Sequence, residues 1–227
     1  MSLRKEEIAT TIEYPSSDGE PMAETDVHIK LMIDLRFTLS QFFRKEADVY
    51  IGSNLLIYYV EGDTRKRVAP DVFVVRGVGK HDRRVYKLWE EGCAPSVIIE
   101  LSSRQTWGED LQKKWRLYEQ LGVKEYYIFD PEYDYLPSPL LAYKLRDGQF
   151  EQIEVENNRV ASEELGLEIV DTGETLRLFD PRAGAFLPTA DEETEARIKA
   201  EEALRQSRKE VARLNEELKK LRTEGSS

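Results

Sequence analysis

The chain has 227 residues, 40% of them hydrophobic and 34% charged, with 44 Asp and Glu against 33 Lys and Arg and a formal net charge of −11. That length implies one to two domains with enough apolar content for a core, and the acidity argues against a protein that coats nucleic acid nonspecifically. It leaves room for a site that holds a metal, because the carboxylates of such a site are themselves acidic.

No apolar run approaches the roughly 20 residues that cross a bilayer, and the start, MSLRKEEIATT, lacks the apolar stretch of a secretory signal. Cys93 is the only cysteine, so no internal disulfide forms, which fits a reducing, cytoplasmic setting. Residues 191–227 hold ten acids and nine bases, which leaves 34 acids and 24 bases in residues 1–190.

Residues 1–24 are polar, with the turn-like PSSDGEP. A helix is predicted from about Asp26 to Arg44, where Ile29, Met32, Ile33, Phe37, Leu39 and Phe43 follow three-four spacing. Two strand-like runs follow, VYIGSNLLIYYV (49–60) and VAPDVFVV (68–75). Residues 76–92 read as a charged connector, and SVIIELSS (96–103) as the next strand. GEDLQKKWRLYEQLG (108–122) predicts a helix with Gly122 at its left-handed C-cap, and KEYYIFDP a strand ending at Pro131. Asp147-Gly148 marks a hairpin inside LLAYKLRDGQFEQIEV, and another is predicted near Ala183-Gly184. RKR (65–67) and KHDRR (80–84) read first as solvated loops, with phosphate contact the alternative.

From about Asp191 the composition changes. Leu204, Val211 and Leu218 recur every seven residues, with Leu214 and Leu221 in a second series, although Arg197 and Ser207 interrupt the seam. The division is thus a domain of residues 1–190 and an amphipathic arm, 191–227. A single helix with so little to bury is not stable alone, so the arm is expected to pair with another copy, giving a homodimer. The bland alternative is a frayed, charged tail.

Glu100 interrupts the apolar run of SVIIELSS, and an ionised carboxylate buried without a partner costs several kcal/mol. Asp71 follows Pro70 at the head of another apolar strand. Two acids on neighbouring strands suit a hard divalent cation such as magnesium, which takes one or two carboxylates plus waters and substrate phosphate. On the helix 108–122, Leu111, Trp115 and Tyr118 share a face. At 100° per residue Lys114 lies about 60° from Leu111, while Lys113 lies about 200° away. Lysine is rarely aimed at a core without a purpose; the plain alternative is an i,i+4 pair with Asp110. No G-x-S-x-G elbow, Walker loop or Cys/His metal spacing is present.

The order helix, strand, strand, strand, helix, strand resembles the PD-(D/E)XK nuclease superfamily. The closer likeness is to a bacterial branch whose members carry the description "putative restriction endonuclease". It rests on APDVFVV (69–75), PSVIIELSS (95–103), DLQKKWRLYEQLGVKEYYIFDP (110–131) and DGEPMAETDVH (18–28), and spans about residues 10–185.

The resemblance implies an α/β, restriction-endonuclease-like core: a mixed sheet flanked by helices, here with added hairpins and the C-terminal helical arm. It implies Mg²⁺- or Mn²⁺-dependent hydrolysis of DNA, with Asp71 and Glu100 as metal ligands and the carbonyl of Leu101 as a further one. Ser102 stands where the superfamily's lysine belongs, and Lys114 is the lysine that takes its place. Glu24 or His28 could add a polar group from the first helix, His28 reading first as a structural hydrogen-bonding residue. Asp110 reads as a helix N-terminal residue rather than a ligand. The alternatives are a noncatalytic nuclease-fold module for binding or assembly, and RNA or mobile-element processing at the same site.

Overall fold

A computed structural model describes residues 12–17, 19, 25–104 and 106–224, with the side chains of 218 and 220–224 excepted. The chain divides into two compact units, Met1–Leu187 and Pro188–Ser227.

The first unit opens with α1 (Asp26–Phe42). Thr25 caps it, its hydroxyl accepting from the His28 amide. At the other end Lys80 Nζ donates to the Phe43 carbonyl at 2.6 Å, supplying the cation that a helix C-terminus favours. The buried stripe is His28, Leu31, Leu35, Thr38 and Leu39, whereas Ile29 and Ile33 are exposed. The sequence carries two overlapping apolar stripes, and the leucine stripe is the one against the sheet. That choice turns His28 inward.

After β1 (Val49–Gly52) the predicted single strand 49–60 breaks. Asn54 adopts a left-handed φ of 47°, and the chain restarts as β2 (Ile57–Tyr58) in a different sheet. β3 (Arg67–Val68) and β4 (Val72–Arg76) follow. The expected connector 76–92 contains β5 (Tyr86–Lys87) and a single turn of helix, α2 (Leu88–Glu91). Tyr86 anchors it by burying its ring and donating its hydroxyl to the Cys93 carbonyl at 2.7 Å. The charges dominate that stretch's composition, and one buried tyrosine decides its structure.

β6 (Val97–Leu101) is followed by α3 (Trp107–Glu109), a π-helical turn (Asp110–Lys114) and α4 (Trp115–Leu121), then β7 (Glu125–Phe129). Gly122 ends the helix at φ 78°, as its position in the sequence predicts. β8 (Leu140–Arg146) and β9 (Gln149–Ile153) form the hairpin over Asp147 and Gly148, both at positive φ. β10 (Arg159–Ser162), β11 (Leu167–Asp171), β12 (Leu176–Asp180) and β13 (Ala185–Phe186) make a further antiparallel sheet. The β12–β13 hairpin was expected. The pairing of β10 with β11 was not, although Asn157-Asn158, both at positive φ, marks the turn into β10.

The main sheet runs β1-β4-β6-β7-β8-β9. Only the β6–β7 pair is parallel, joined by the helical crossover. β6 and β7 are buried at every position, which explains why they read as apolar runs apart from Glu100 and Glu125. Side chains alternate between two cores. Val97, Ile99 and Leu101 meet α1 and the β10–β13 sheet, while Ile98 meets Tyr118 and the 107–121 helix. Glu100 shares the parity of Ile98, so it faces that helix.

The second unit contains α5 (Ala190–Glu224). Thr189 and Glu192 form a reciprocal capping box: the Thr189 amide donates to Glu192 Oε2 at 2.9 Å, and the Glu192 amide to Thr189 Oγ1 at 3.3 Å. Ile198, Leu204, Val211 and Leu214 are exposed along it.

Candidate active site

β4 and β6 are antiparallel with Val72 opposite Ile99, so the next step of the register sets Asp71 opposite Glu100 at the strand ends. Asp71 Oδ2 accepts from the Leu101 amide at 2.8 Å, and the Asp71 amide lies 3.4 Å from Glu100 Oε2. Asp71 Oδ1 lies 3.2 Å from His28 Nε2. Thr25 starts α1 where its buried stripe carries His28 to this carboxylate. Glu24 lies outside the described residues.

Glu100 is fully buried and engaged at both oxygens. Tyr118 donates its hydroxyl to Oε1 at 2.6 Å, and Lys114 Nζ lies 3.0 Å from Oε2. The same ammonium sits 2.9 Å from Asp110 Oδ1. Lys114 therefore both pairs with Asp110 and points to the core-side carboxylate of Glu100. Asp110 differs from its expected place at a solvated helix start: it is buried inside the helical run, and Ser102 Oγ donates to its Oδ2 at 3.0 Å. Ser102, in the position of the absent strand lysine, thus holds the acid that holds the helix lysine. Tyr126 donates to the Asp110 carbonyl at 3.0 Å, a backbone oxygen within the π turn, where the usual ladder is displaced.

Tyr118 and Tyr126 were not singled out for the site. The only sequence signal was for Tyr118, which stands four residues after Lys114 and hence on the same helical face.

The buried charges do not balance. Asp71, Glu100 and Asp110 face one lysine and one histidine. Burial pushes the Glu100 carboxyl well above the usual range; Lys114 opposes this, while Asp71 and Asp110 add to it. Burial also pushes Asp71 upward, but its hydrogen bond from His28 and the charges of Lys114 and His28 outweigh burial and hold it low. Burial would strip the proton from Lys114, yet Glu100, Asp110 and Asp71 together hold its pKa above that of a free lysine. Lys114 therefore stays an ammonium and cannot act as a proton acceptor near neutral pH.

This donor set fits a divalent cation. It offers two carboxylates from adjacent strands, each with lone pairs beyond those already engaged, and an excess of negative charge that a cation would neutralise. Among the described residues no cluster of three or more His, Cys, Asp or Glu is placed to hold a metal.

A mixed sheet with one parallel central pair, helices on both faces and paired acids at the ends of two antiparallel strands defines a restriction-endonuclease-like protein. The chain belongs to the Uma2 family, described as "Putative restriction endonuclease", whose family model matches residues 4–176. A crystal structure described as a putative nuclease belonging to DUF820, from Anabaena variabilis ATCC 29413, is similar at 14% identity and a TM-score of 0.46. The likeness covers 64% of this chain and 76% of that one. No curated protein matches. Among the described residues no helix is long and apolar enough to cross a membrane.

Proposed function

We propose that this chain is a metal-dependent endonuclease that hydrolyses DNA phosphodiester bonds at Asp71, Glu100 and Lys114. The observation that carries the reading is the single ammonium of Lys114 held within 3.0 Å of Glu100 and 2.9 Å of Asp110, beside Asp71. Asp71, Glu100 and the carbonyl of Leu101 would hold Mg²⁺ or Mn²⁺, which when bound polarises phosphoryl oxygens and lowers the pKa of attacking water. Lys114, fixed as a cation, faces the phosphate and offsets the negative charge that builds on it. His28 orients Asp71, Tyr118 orients Glu100, and Ser102 orients Asp110, which aims Lys114.

The domain is proposed to end near residue 190 and to dimerise through the 191–227 helix. The exposed Leu204, Val211 and Leu214 support that pairing. It would present two active sites to two strands.

Plasmid DNA with Mg²⁺ or Mn²⁺ tests the reading. The wild type should cleave, and Asp71→Ala and Glu100→Ala should not; cleavage surviving in both variants would rule out this site. A noncatalytic binding module is the second reading, favoured by Ser102 in the strand-lysine position. Tight Mn²⁺ binding that depends on Asp71, measured by calorimetry, would count against it.

A further inference from the structure

A cleft of about 620 Å³ opens between the small β2–β3–β5 sheet and the 107–121 helix, and Lys114 forms part of its wall. Ala69, two residues before Asp71, lines it as well, so the cleft adjoins the acid pair. Its charge is one-sided. Arg65, Arg67, Lys113 and Lys114 line it, against the single acid Glu109. Lys113 is tied to Glu109 at the surface, where such pairs are weak, while Asp63 grips Arg65 at two points of 2.9 Å each and leaves its remaining N–H donors for a ligand. Arg67 donates Nη1 to the Thr64 carbonyl at 2.9 Å, which engages one of its five N–H donors.

The rest of the lining is apolar or aromatic, with Tyr59 and Leu117 on opposite walls' elements. A phosphate track on duplex DNA needs cations on an accessible face and no apolar recess. A concave, small-molecule-sized site that pairs an aromatic ring with cations suits a base together with its phosphate.

We infer that this cleft receives one unpaired nucleotide next to the scissile phosphate, its base against Tyr59 and its phosphates against Arg67, Arg65 and Lys113. The inference rests on the nuclease reading for the word scissile; nucleotide binding itself stands on the cleft alone. The protein therefore selects nucleic acid with a single-stranded, gapped or bulged position over continuous duplex. The RKR run that reads as a solvated loop in the sequence becomes the substrate wall.

The test is binding of fluorescein-labelled DNA to the full chain in EDTA, followed by anisotropy. The probes are a 12-nucleotide single strand, its blunt duplex, and a duplex with one bulged nucleotide. The single strand and the bulge should bind at least about tenfold tighter than the blunt duplex, the scale of one stacked base. Tyr59→Leu should lose roughly that factor on the single strand and leave duplex binding unchanged. Arg67→Gln should weaken the single strand and the bulged duplex, reduce their salt slope by about 1, and leave the blunt duplex unchanged.

Blunt duplex binding as tightly as the single strand would overturn the inference. So would a Tyr59→Leu protein of unaltered thermal melt that keeps wild-type single-strand affinity. Strand-selective binding with no cleavage of the single strand, the bulged duplex or plasmid DNA in Mg²⁺ or Mn²⁺ would sink the nuclease reading and leave this one standing; cleavage without strand selectivity would do the reverse.

Discussion

Replacing Lys114 by methionine isolates the ammonium, because the aliphatic stem is kept. The Lys114 side chain is 17% exposed, against 0% for Glu100 and 1% for Asp110, and its nitrogen lies 3.0 Å and 2.9 Å from their oxygens. Removing one partner of a buried ion pair costs about 3–5 kcal/mol. Glu100 relieves part of that cost by taking up a proton, which favours the lower end of the range. About 3 kcal/mol corresponds to a melting temperature lowered by roughly 6–12 °C for a chain of this size.

The pH dependence fixes the sign. Burial already raises the Glu100 pKa, and losing Lys114 raises it further. Between the unfolded value near 4.3 and the raised folded value, the folded variant binds more protons than the unfolded chain, so its stability falls as pH rises. The deficit relative to wild type should be larger at pH 8 than at pH 4.5, shrinking as pH falls through the raised folded values of the two proteins. Calorimetric melts in EDTA from pH 4.5 to 8 measure it, and Glu100→Gln added to Lys114→Met should restore part of the loss. A variant melting within about 1 °C of wild type at pH 8, or a deficit larger at pH 4.5, would refute the charge accounting.

Other outcomes follow from the same geometry. Arg83 is almost fully buried, forms a two-point pair with Glu91 at 2.6 Å and 2.8 Å, and stacks 4.3 Å from the Tyr50 ring centroid. Its hydrogen bond holds the Glu91 carboxyl below the usual range. That stability is present above about pH 4.3 and lost as pH falls through the lowered folded value. Glu91→Gln should therefore cost about 1.5–3 kcal/mol at pH 7 and flatten the acid limb of a stability–pH curve measured by urea titration. A Cβ on Gly52 would come within 2.1 Å of the Phe73 ring, its cross-strand neighbour. Gly52→Ala should cost about 1–3 kcal/mol, read as a lower denaturation midpoint at unchanged slope. A chain ended at Thr189 should scatter light as a monomer if α5 carries the dimer; a truncated chain that still scatters as a dimer would remove that role.

The site was legible in the sequence wherever its residues broke a pattern. Glu100 stood out because it interrupted an apolar run, and Lys114 because helical phase aimed it at a core. Pro70-Asp71 was visible as an acid heading a strand. What stayed hidden depends on long-range packing. Tyr118 and Tyr126 look like ordinary core aromatics until a strand 18 residues before Tyr118 brings Glu100 to its hydroxyl. Asp110 resembled a capping residue because the π turn that buries it has no local signature. In α1 the two apolar stripes have similar composition, and only the sheet beneath decides that Leu31 and Leu35, not Ile29 and Ile33, go inside.

The π turn at Asp110–Lys114 puts the two ends of one helix out of phase. Deleting Leu111, Gln112 or Lys113 would shorten the Asp110–Lys114 separation from four residues to three and break the pair they form. Strands and sheet would survive such an edit, and so would the four-residue step from Lys114 to Tyr118, while the acid that Ser102 holds would lose its cation. The spacing between Asp110 and Lys114 thus acts as a key cut to one length, and relatives shorter or longer by one residue there would need a different lock.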